Sequence, residues 1–223
     1  MFHHRHPYPP YIFSDTERLI VGTLPPPRFT TGELNNRDVD FCYGSSNGLL
    51  WRVWDRIYNL NLIYENTYEA IAQRKAFLKR EQIGVCDIVA AAYRKKIDAS
   101  DLGMEGVELR DMLTILGRYP NVKSLIFTGG NSKNGPEYFF RRLLKKAKIK
   151  MICLDDQVPR KHQFHWAGRT IITHSLTAPS GTANRAIGSM ESYKENKARN
   201  SSYTPFDFRV EQYGVVFLNE WKK

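Results

Sequence analysis

Leu19-Ile20-Val21-Gly22-Thr23-Leu24-Pro25-Pro26-Pro27 decides how the chain is read. Three bulky apolar residues in a row, closed by turn residues, have the length and composition of a strand buried on both faces. The prolines that follow cannot extend a hydrogen-bonded ladder, so the strand stops there and a stiff loop begins. Three further runs share this form. Ile83 to Val89 carries Asp87, Ser124 to Thr128 runs into Gly129-Gly130-Asn131, and Thr170 to Leu176 leads into Thr177 to Arg185. Ligands of open parallel sheets sit beyond the carboxyl ends of the strands. The four strand ends are therefore expected to converge on one cleft.

Helical patterns fill the intervals. Leu50, Trp54, Ile57 and Tyr58 recur at helical spacing, which predicts a helix beginning near Asn47 with Ser46 or Asn47 as its cap. Thr67 to Glu81 reads as a second amphipathic helix, and Asp98 to Gly117, with Leu109, Met112, Leu113 and Leu116, as a third. Pro136 to Lys146 sets Phe139, Phe140, Leu143 and Leu144 against Arg141, Arg142 and Lys145. Lys150 to Leu154 has the form of an additional short strand, followed by an insertion, 155–168, whose His162 and His165 are expected at the surface. Phe206, Val210, Tyr213, Phe217 and Trp221 repeat helically and predict a closing helix. Strands alternating with helices give an α/β fold, here a three-layer α/β/α domain with a mainly parallel central sheet of about four strands.

The chain of 223 residues, 42% of them hydrophobic, can bury one sizeable core. Residues 1–223 read as one domain, with a mobile N-terminal segment (1–14) and a polar, loop-like or mobile segment (188–203) before the closing helix. No apolar run approaches the roughly 20 residues that span a bilayer, and the first ten residues lack the apolar core of a signal peptide. A monomer is expected, cytoplasmic or, in a eukaryote, nuclear, without a membrane partner. Cys42, Cys86 and Cys153 stand alone, which excludes a disulfide framework and offers no pair at zinc or iron–sulfur spacing. His3, His4 and His6 have no acidic or cysteine partner in sequence, so no metal and no cofactor is expected.

The net charge of +10 raises encounter with polyanions, above all nucleic acid. It is concentrated at Arg94-Lys95-Lys96, at Arg141-Arg142 with Lys145, Lys146, Lys148 and Lys150, and at Arg160-Lys161. Each cluster also has a plain reading as a solvated face.

Three segments resemble the uracil-DNA glycosylase superfamily. Val21-Gly22-Thr23-Leu24-Pro25-Pro26 is similar to its first motif, a strand ending in Gly, two variable residues and Pro. Phe41-Cys42-Tyr43-Gly44 with Asn47 and Trp51 is similar to the aromatic, glycine, asparagine and tryptophan segment of its mismatch-specific and hypoxanthine-acting branches. Pro179-Ser180-Gly181-Thr182-Ala183-Asn184-Arg185 resembles the late loop that enters DNA beside the flipped nucleotide. Ile83 to Val89, with Arg94 and Asp98 after it, resembles the second-strand segment of the hypoxanthine-acting branch. The likeness runs from Leu19 to Ala186. Leu24 departs from it, standing where the uracil and mismatch-specific branches place a polar Asp or Asn, so that side chain cannot activate water.

The resemblance implies excision of uracil or hypoxanthine from DNA, and a non-catalytic DNA-binding protein on the same scaffold is the alternative that Leu24 leaves open. An excised base must leave the duplex and stack on protein. Phe41 or Tyr43 could provide that surface, or both rings could be core. Gly22, Thr23, Leu24, Pro25 and Asn131 are the other base-pocket candidates, Asn131 being explained equally by turn chemistry. Cleavage builds negative charge on the departing base, which the Asn47 amide and the backbone N–H groups of the helix start would stabilise; a helix cap is the competing role for Asn47. Asp87 could accept from the base or orient its loop. Pro179, Ser180, Gly181, Thr182, Asn184 and Arg185 suit phosphate and minor-groove contacts or a helix-capping loop. His174 and Ser175, adjacent on a strand, point to opposite faces and form no hydrolytic pair.

Overall fold

The computed structural model describes residues 1–219, so Trp221 of the predicted closing helix lies outside the described residues. The chain begins with β1 (Phe2–Arg5), β2 (Arg18–Val21), a single turn α1 (Arg28–Thr31), and helices α2 (Leu50–Tyr58) and α3 (Tyr68–Arg80). β3 (Ile83–Val85), β4 (Val89–Arg94), β5 (Met104–Leu109), α4 (Met112–Arg118), β6 (Ser124–Phe127) and α5 (Pro136–Lys146) follow. β7 (Met151–Asp155), β8 (Arg160–Trp166), β9 (Arg169–Ser175), α6 (Asn184–Ser189), α7 (Glu191–Arg199) and α8 (Pro205–Gly214) complete it, with a π-helical turn at Val215–Asn219.

The main sheet has the order β3-β2-β6-β9-β8-β7. Its first four strands are parallel, and β9, β8 and β7 are joined antiparallel. It thus has six strands where about four were expected. β7 is the additional short strand expected at Lys150 to Leu154, and it pairs with β8, which forms inside the segment expected to be an insertion. His162, expected at the surface, is buried on β8 beside Phe164, and Arg141 Nη2 lies 2.7 Å from its Nε2; strand alternation leaves His165 outside.

Consecutive residues of the central strands enter opposite cores. Leu19, Val21, Leu125 and Phe127 pack with Met112 and Leu116 of α4 and Phe139 and Phe140 of α5. Ile20 and Ile126 pack instead with Trp54 of α2, Phe77 of α3 and Tyr213 of α8. At about 1.5–3 kcal/mol for each large side chain removed from water, these two layers outweigh any single polar contact in the fold.

A second, antiparallel sheet of order β1-β4-β5 was not expected. Residues 1–14, read as mobile, supply β1, whose Phe2 to Arg5 pair with Arg94 to Ala91. His4 is fully buried, and its Nδ1 accepts from Arg94 Nε at 2.8 Å. Burial, and then the Arg94 charge, push the His4 imidazole down to about 4. The run Ile83 to Val89 also divides: β3 joins the main sheet, β4 joins the small one, and Asp87 stands in the connection between them. Of the helix expected over Asp98 to Gly117, Asp101–Gly103 form a single 3-10 turn, residues 104–109 form a strand, and the α-helix begins at Met112. In the polar 188–203 segment, α7 buries no residue of its own, so no apolar period announced it. It lies in a small satellite cluster built on Ile187, Tyr203 and Phe208. The closing helix α8 begins with a capping box in which Thr204 and Asp207 bond each other's backbone N–H groups.

Candidate active-site cleft

A cleft of about 1000 Å³ opens at the carboxyl ends of the four parallel strands. Thr23 and Leu24 follow β2, Asp87 follows β3, Thr128 follows β6 and Pro179 follows β9, and all five line it. The flanking strands β3 and β6 lie on opposite sides of β2, so the crevice sits where the strand order reverses.

The floor is a polar knot around Gly22. The Tyr43 hydroxyl donates to Asp87 Oδ1 at 2.6 Å and lies 3.2 Å from Thr128 Oγ1. The Gly22 N–H donates to the same carboxylate oxygen at 2.7 Å, and His6 Nε2 lies 2.9 Å from Asp87 Oδ2. Burial, then the Asp87 charge, hold the Tyr43 hydroxyl well above its usual range, so it remains a donor. A Cβ on residue 22 would lie 2.2 Å from the Tyr43 hydroxyl. Only glycine lets the ring reach Asp87. Tyr43 itself has φ +58°, which aims its side chain into this knot.

The wall opposite is the loop 38–49. Asp38, fully buried, takes a bidentate pair from Arg28 (2.6 and 2.8 Å) together with the N–H groups of Ser46 (2.7 Å) and Asn35 (2.8 Å). Arg28 also donates to Ser45 Oγ at 2.8 Å. This clamp fixes the backbone just before Asn47. Asn47 is exposed, facing both the cleft and an adjoining polar hollow of about 650 Å³ that Arg37 and Arg52 share. Helix α2 starts at Leu50, three residues later than predicted, with Leu49 as its cap residue and no side-chain cap bond. Neither Ser46 nor Asn47 is the cap. The Leu49 N–H, expected as a dipole for the base, donates to the Pro179 carbonyl at 2.8 Å, and Gly48 forms a bridge with Ser180.

The late loop forms the third wall. Pro179, Ser180, Gly181 and Thr182 line the cleft, whereas Asn184 and Arg185 sit exposed at the start of α6 beyond its lining. The loop is held from behind. Arg209 of α8 donates to the Ala178 and Ser180 carbonyls, Gln212 Oε1 accepts from the Thr177 N–H and hydroxyl, and the Tyr213 hydroxyl donates to the Thr177 carbonyl.

Two base-pocket expectations are corrected. Phe41 is core, tilted against Trp51 and edge-on to Tyr11, because strand β2 and helix α2 need an apolar filler between them. Asn131 is exposed outside the cleft lining; the buried asparagine of that loop is Asn134. Gly22, Thr23, Leu24, Pro25 and Tyr43 do lie at the cleft or directly beneath it.

Asp101 was not anticipated. It lines the cleft beside Thr23, whose hydroxyl donates to its Oδ1 at 2.7 Å. Asn134 Nδ2 donates to the Asp101 carbonyl (2.9 Å) and to that of Met104 (3.1 Å), while Arg94 Nη1 donates to the Ser100 carbonyl at 2.5 Å. Crowding by the protein, opposed by the Thr23 bond and the Arg94 charge, pushes the Asp101 carboxyl up to about 6. It lies in a stretch whose spacing predicts a helix, between Asp98 and Met112, and no sequence neighbour marks it as a site residue.

No family model matches the chain. A protein of Methanosarcina barkeri (strain Fusaro / DSM 804) named hypoxanthine DNA glycosylase is 30% identical over 128 residues, which span 56% of this chain and 71% of that protein. The fold is similar to a solution NMR structure of a Methanosarcina acetivorans protein whose name proposes a uracil DNA glycosylase. The TM-score is 0.54 at 19% identity, covering 94% of this chain and 99% of that one. At that identity the second likeness speaks for fold alone. Among the described residues no helix is long and apolar enough to cross a membrane.

Proposed function

Because the chain belongs to the uracil-DNA glycosylase superfamily, we propose that it is a DNA glycosylase. It hydrolyses the N-glycosidic bond of a deaminated base flipped out of DNA, hypoxanthine before uracil. The observation that carries this reading is the cleft with its polar floor at four converging strand ends, walled by the loop of Asn47 and by the Pro179 to Thr182 turn. A flipped nucleotide needs such an enclosed slot. Tyr43, braced on Asp87, offers one flat side to the base. The Asn47 amide meets the leaving base, where negative charge develops as the sugar becomes oxocarbenium-like. Asp87, with Tyr43, Gly22 and His6 on its two oxygens, positions the pocket and does not act on the base. The late loop engages the backbone, with Asn184 and Arg185 on phosphates just outside the slot. Residues 1–223 act as one domain, as a monomer and without a cofactor.

The second reading, a non-catalytic binder of damaged DNA, is favoured by one observation: Leu24 lines the cleft where water would be handled. The test is single-turnover release from duplexes carrying hypoxanthine, uracil or xanthine, read by alkaline cleavage at the abasic site. Strand breaks at hypoxanthine are expected. Binding without release on all three substrates would favour the second reading, and no binding would overturn both.

A further inference from the structure

We propose that Asp101 is a catalytic residue of this cleft, accepting a proton from the water that attacks C1′ of the extruded nucleotide. The proposal rests on the glycosylase reading and supplies the group that Leu24 cannot. Three carboxylates line the pocket, Asp87, Asp98 and Asp101, together with the Tyr43 hydroxyl and the Asn47 amide. Asp98 is half exposed, with the Ser100 N–H and the Arg94 guanidinium on its Oδ1. Asp87 has donors on both oxygens, the Tyr43 hydroxyl is itself donating, and the Asn47 amide can orient water but takes no proton near neutrality. Asp101 differs. Thr23 holds one carboxylate oxygen, Oδ1, and among the described residues no hydrogen bond or ion pair reaches Oδ2.

The loop that carries Asp101 is anchored as a functional loop is, from three separate elements. Thr23 reaches it from the end of β2, Arg94 from β4, and Asn134 from the loop before α5. Arg94 and Asn134 are buried, and Asn134 has φ +63°. A carboxylate held this way arrives at the cleft already oriented, and pre-orientation is what general-base chemistry requires.

The charged groups that face Asp101 are Arg94 on β4, Asp87 in the β3–β4 connection and Asp98 on its own loop, whose Oδ1 lies 3.7 Å from Arg94 Nη1. Arg28 and Arg52 line other parts of the same cleft. The step balances without another reactant. The water oxygen forms a bond to C1′ as the C1′–N bond breaks, and that electron pair leaves with the base. The water proton passes to Asp101 and then to the released base, regenerating the carboxylate.

The experiment measures single-turnover cleavage of a hypoxanthine duplex by the wild type and Asp101→Asn between pH 5 and 8.5. Affinity for a duplex with an uncleavable abasic analogue and thermal melting are measured on the same preparations. The wild-type rate is expected to rise with pH and level off above about 6, where the carboxylate is formed. Asp101→Asn is expected to lose about a hundredfold or more in rate, to lose the pH dependence, and to bind the analogue within threefold of the wild type. A variant that cleaves within threefold of the wild type would overturn the proposal alone. So would a wild-type rate flat from pH 5 to 8.5, whatever the variant's folding. A wild type that releases no base from any deaminated duplex would overturn the glycosylase reading and this proposal with it.

Discussion

Arg209 of α8 donates to the Ser180 carbonyl at 2.6 Å and to the Ala178 carbonyl at 3.0 Å, so the last helix sets the position of the loop proposed to meet DNA. Arg209 is completely buried. Replacing it with Leu removes a charged donor from two carbonyls that each keep one backbone N–H, from Ser180 and Ala183, at about 1.5–3 kcal/mol for each hydrogen bond to a charged group. Arg209→Leu is expected to lower the melting temperature and weaken duplex binding together. Arg209→Lys, which keeps one charged donor, should recover part of both, as melting curves and anisotropy titrations will show.

Gly22 and Tyr43 cannot both keep their places once a side chain is added. With the Cβ position 2.2 Å from the phenol oxygen, Gly22→Ala must push the ring off Asp87 or shift the end of β2. Overpacking of this kind costs about 1–3 kcal/mol. Cleavage is expected to fall at least tenfold while binding to undamaged duplex stays near the wild-type value. Equal cleavage rates would show that the knot does not shape the reacting geometry.

Asp38 makes stability depend on acid. Burial alone would raise its carboxyl, but Arg28 and the Ser46 and Asn35 amides more than offset this and hold it well below the usual range. A folded value below the unfolded one of about 3.9 means stability that is present above that pH and lost as pH falls below it. Asp38→Asn is expected to cost about 3 kcal/mol at neutral pH, since it strands the Arg28 charge. Urea melts of the two proteins should then draw together progressively as pH falls below about 4 toward the depressed folded value.

The opposite sign holds at Asp101. Its folded value of about 6 lies above the unfolded one, so the native state binds that proton more tightly and Asp101 lowers stability at neutral pH. Asp101→Asn should therefore raise stability at pH 7.5, by at most about 3 kcal/mol, with the gain shrinking as pH falls toward 4. A site that destabilises its own fold while its removal abolishes turnover is the trade-off expected of a functional group. A melting temperature at pH 7.5 below that of the wild type would place Asp101 among the structural carboxylates.

What could be read from residues alone follows from the range of the forces involved. Leu19 to Val21, Ser124 to Phe127 and Pro136 to Lys146 carry their period within a few residues, and each forms the element its pattern predicts. β1 has no such period, because what orders it is the distant Arg94 and the edge of β4. Phe41 and Tyr43 have the same composition signal and opposite fates: one ring faces α2, and the other is turned by a positive φ toward Asp87. Asp101 was illegible for a related reason. Its partners Thr23 and Asn134 are remote in sequence, and only the closure of the small sheet brings them together.

Asn47 gives the sharpest discrimination, because the fold removes its rival explanation. A helix cap would be expected to lose about 1 kcal/mol of stability on truncation, but Leu49 occupies the cap position and makes no side-chain cap bond. Asn47 is exposed, and among the described residues no hydrogen bond is made by its side chain. Asn47→Ala should therefore leave the melting temperature within about a degree of the wild type. If the amide meets charge that appears only in the transition state, turnover falls by about a hundred- to thousandfold with little change in affinity. Single-turnover cleavage and a melting curve on one preparation decide the matter. Wild-type cleavage with unchanged melting would remove Asn47 from the mechanism and leave the leaving base to be stabilised by backbone dipoles at the cleft.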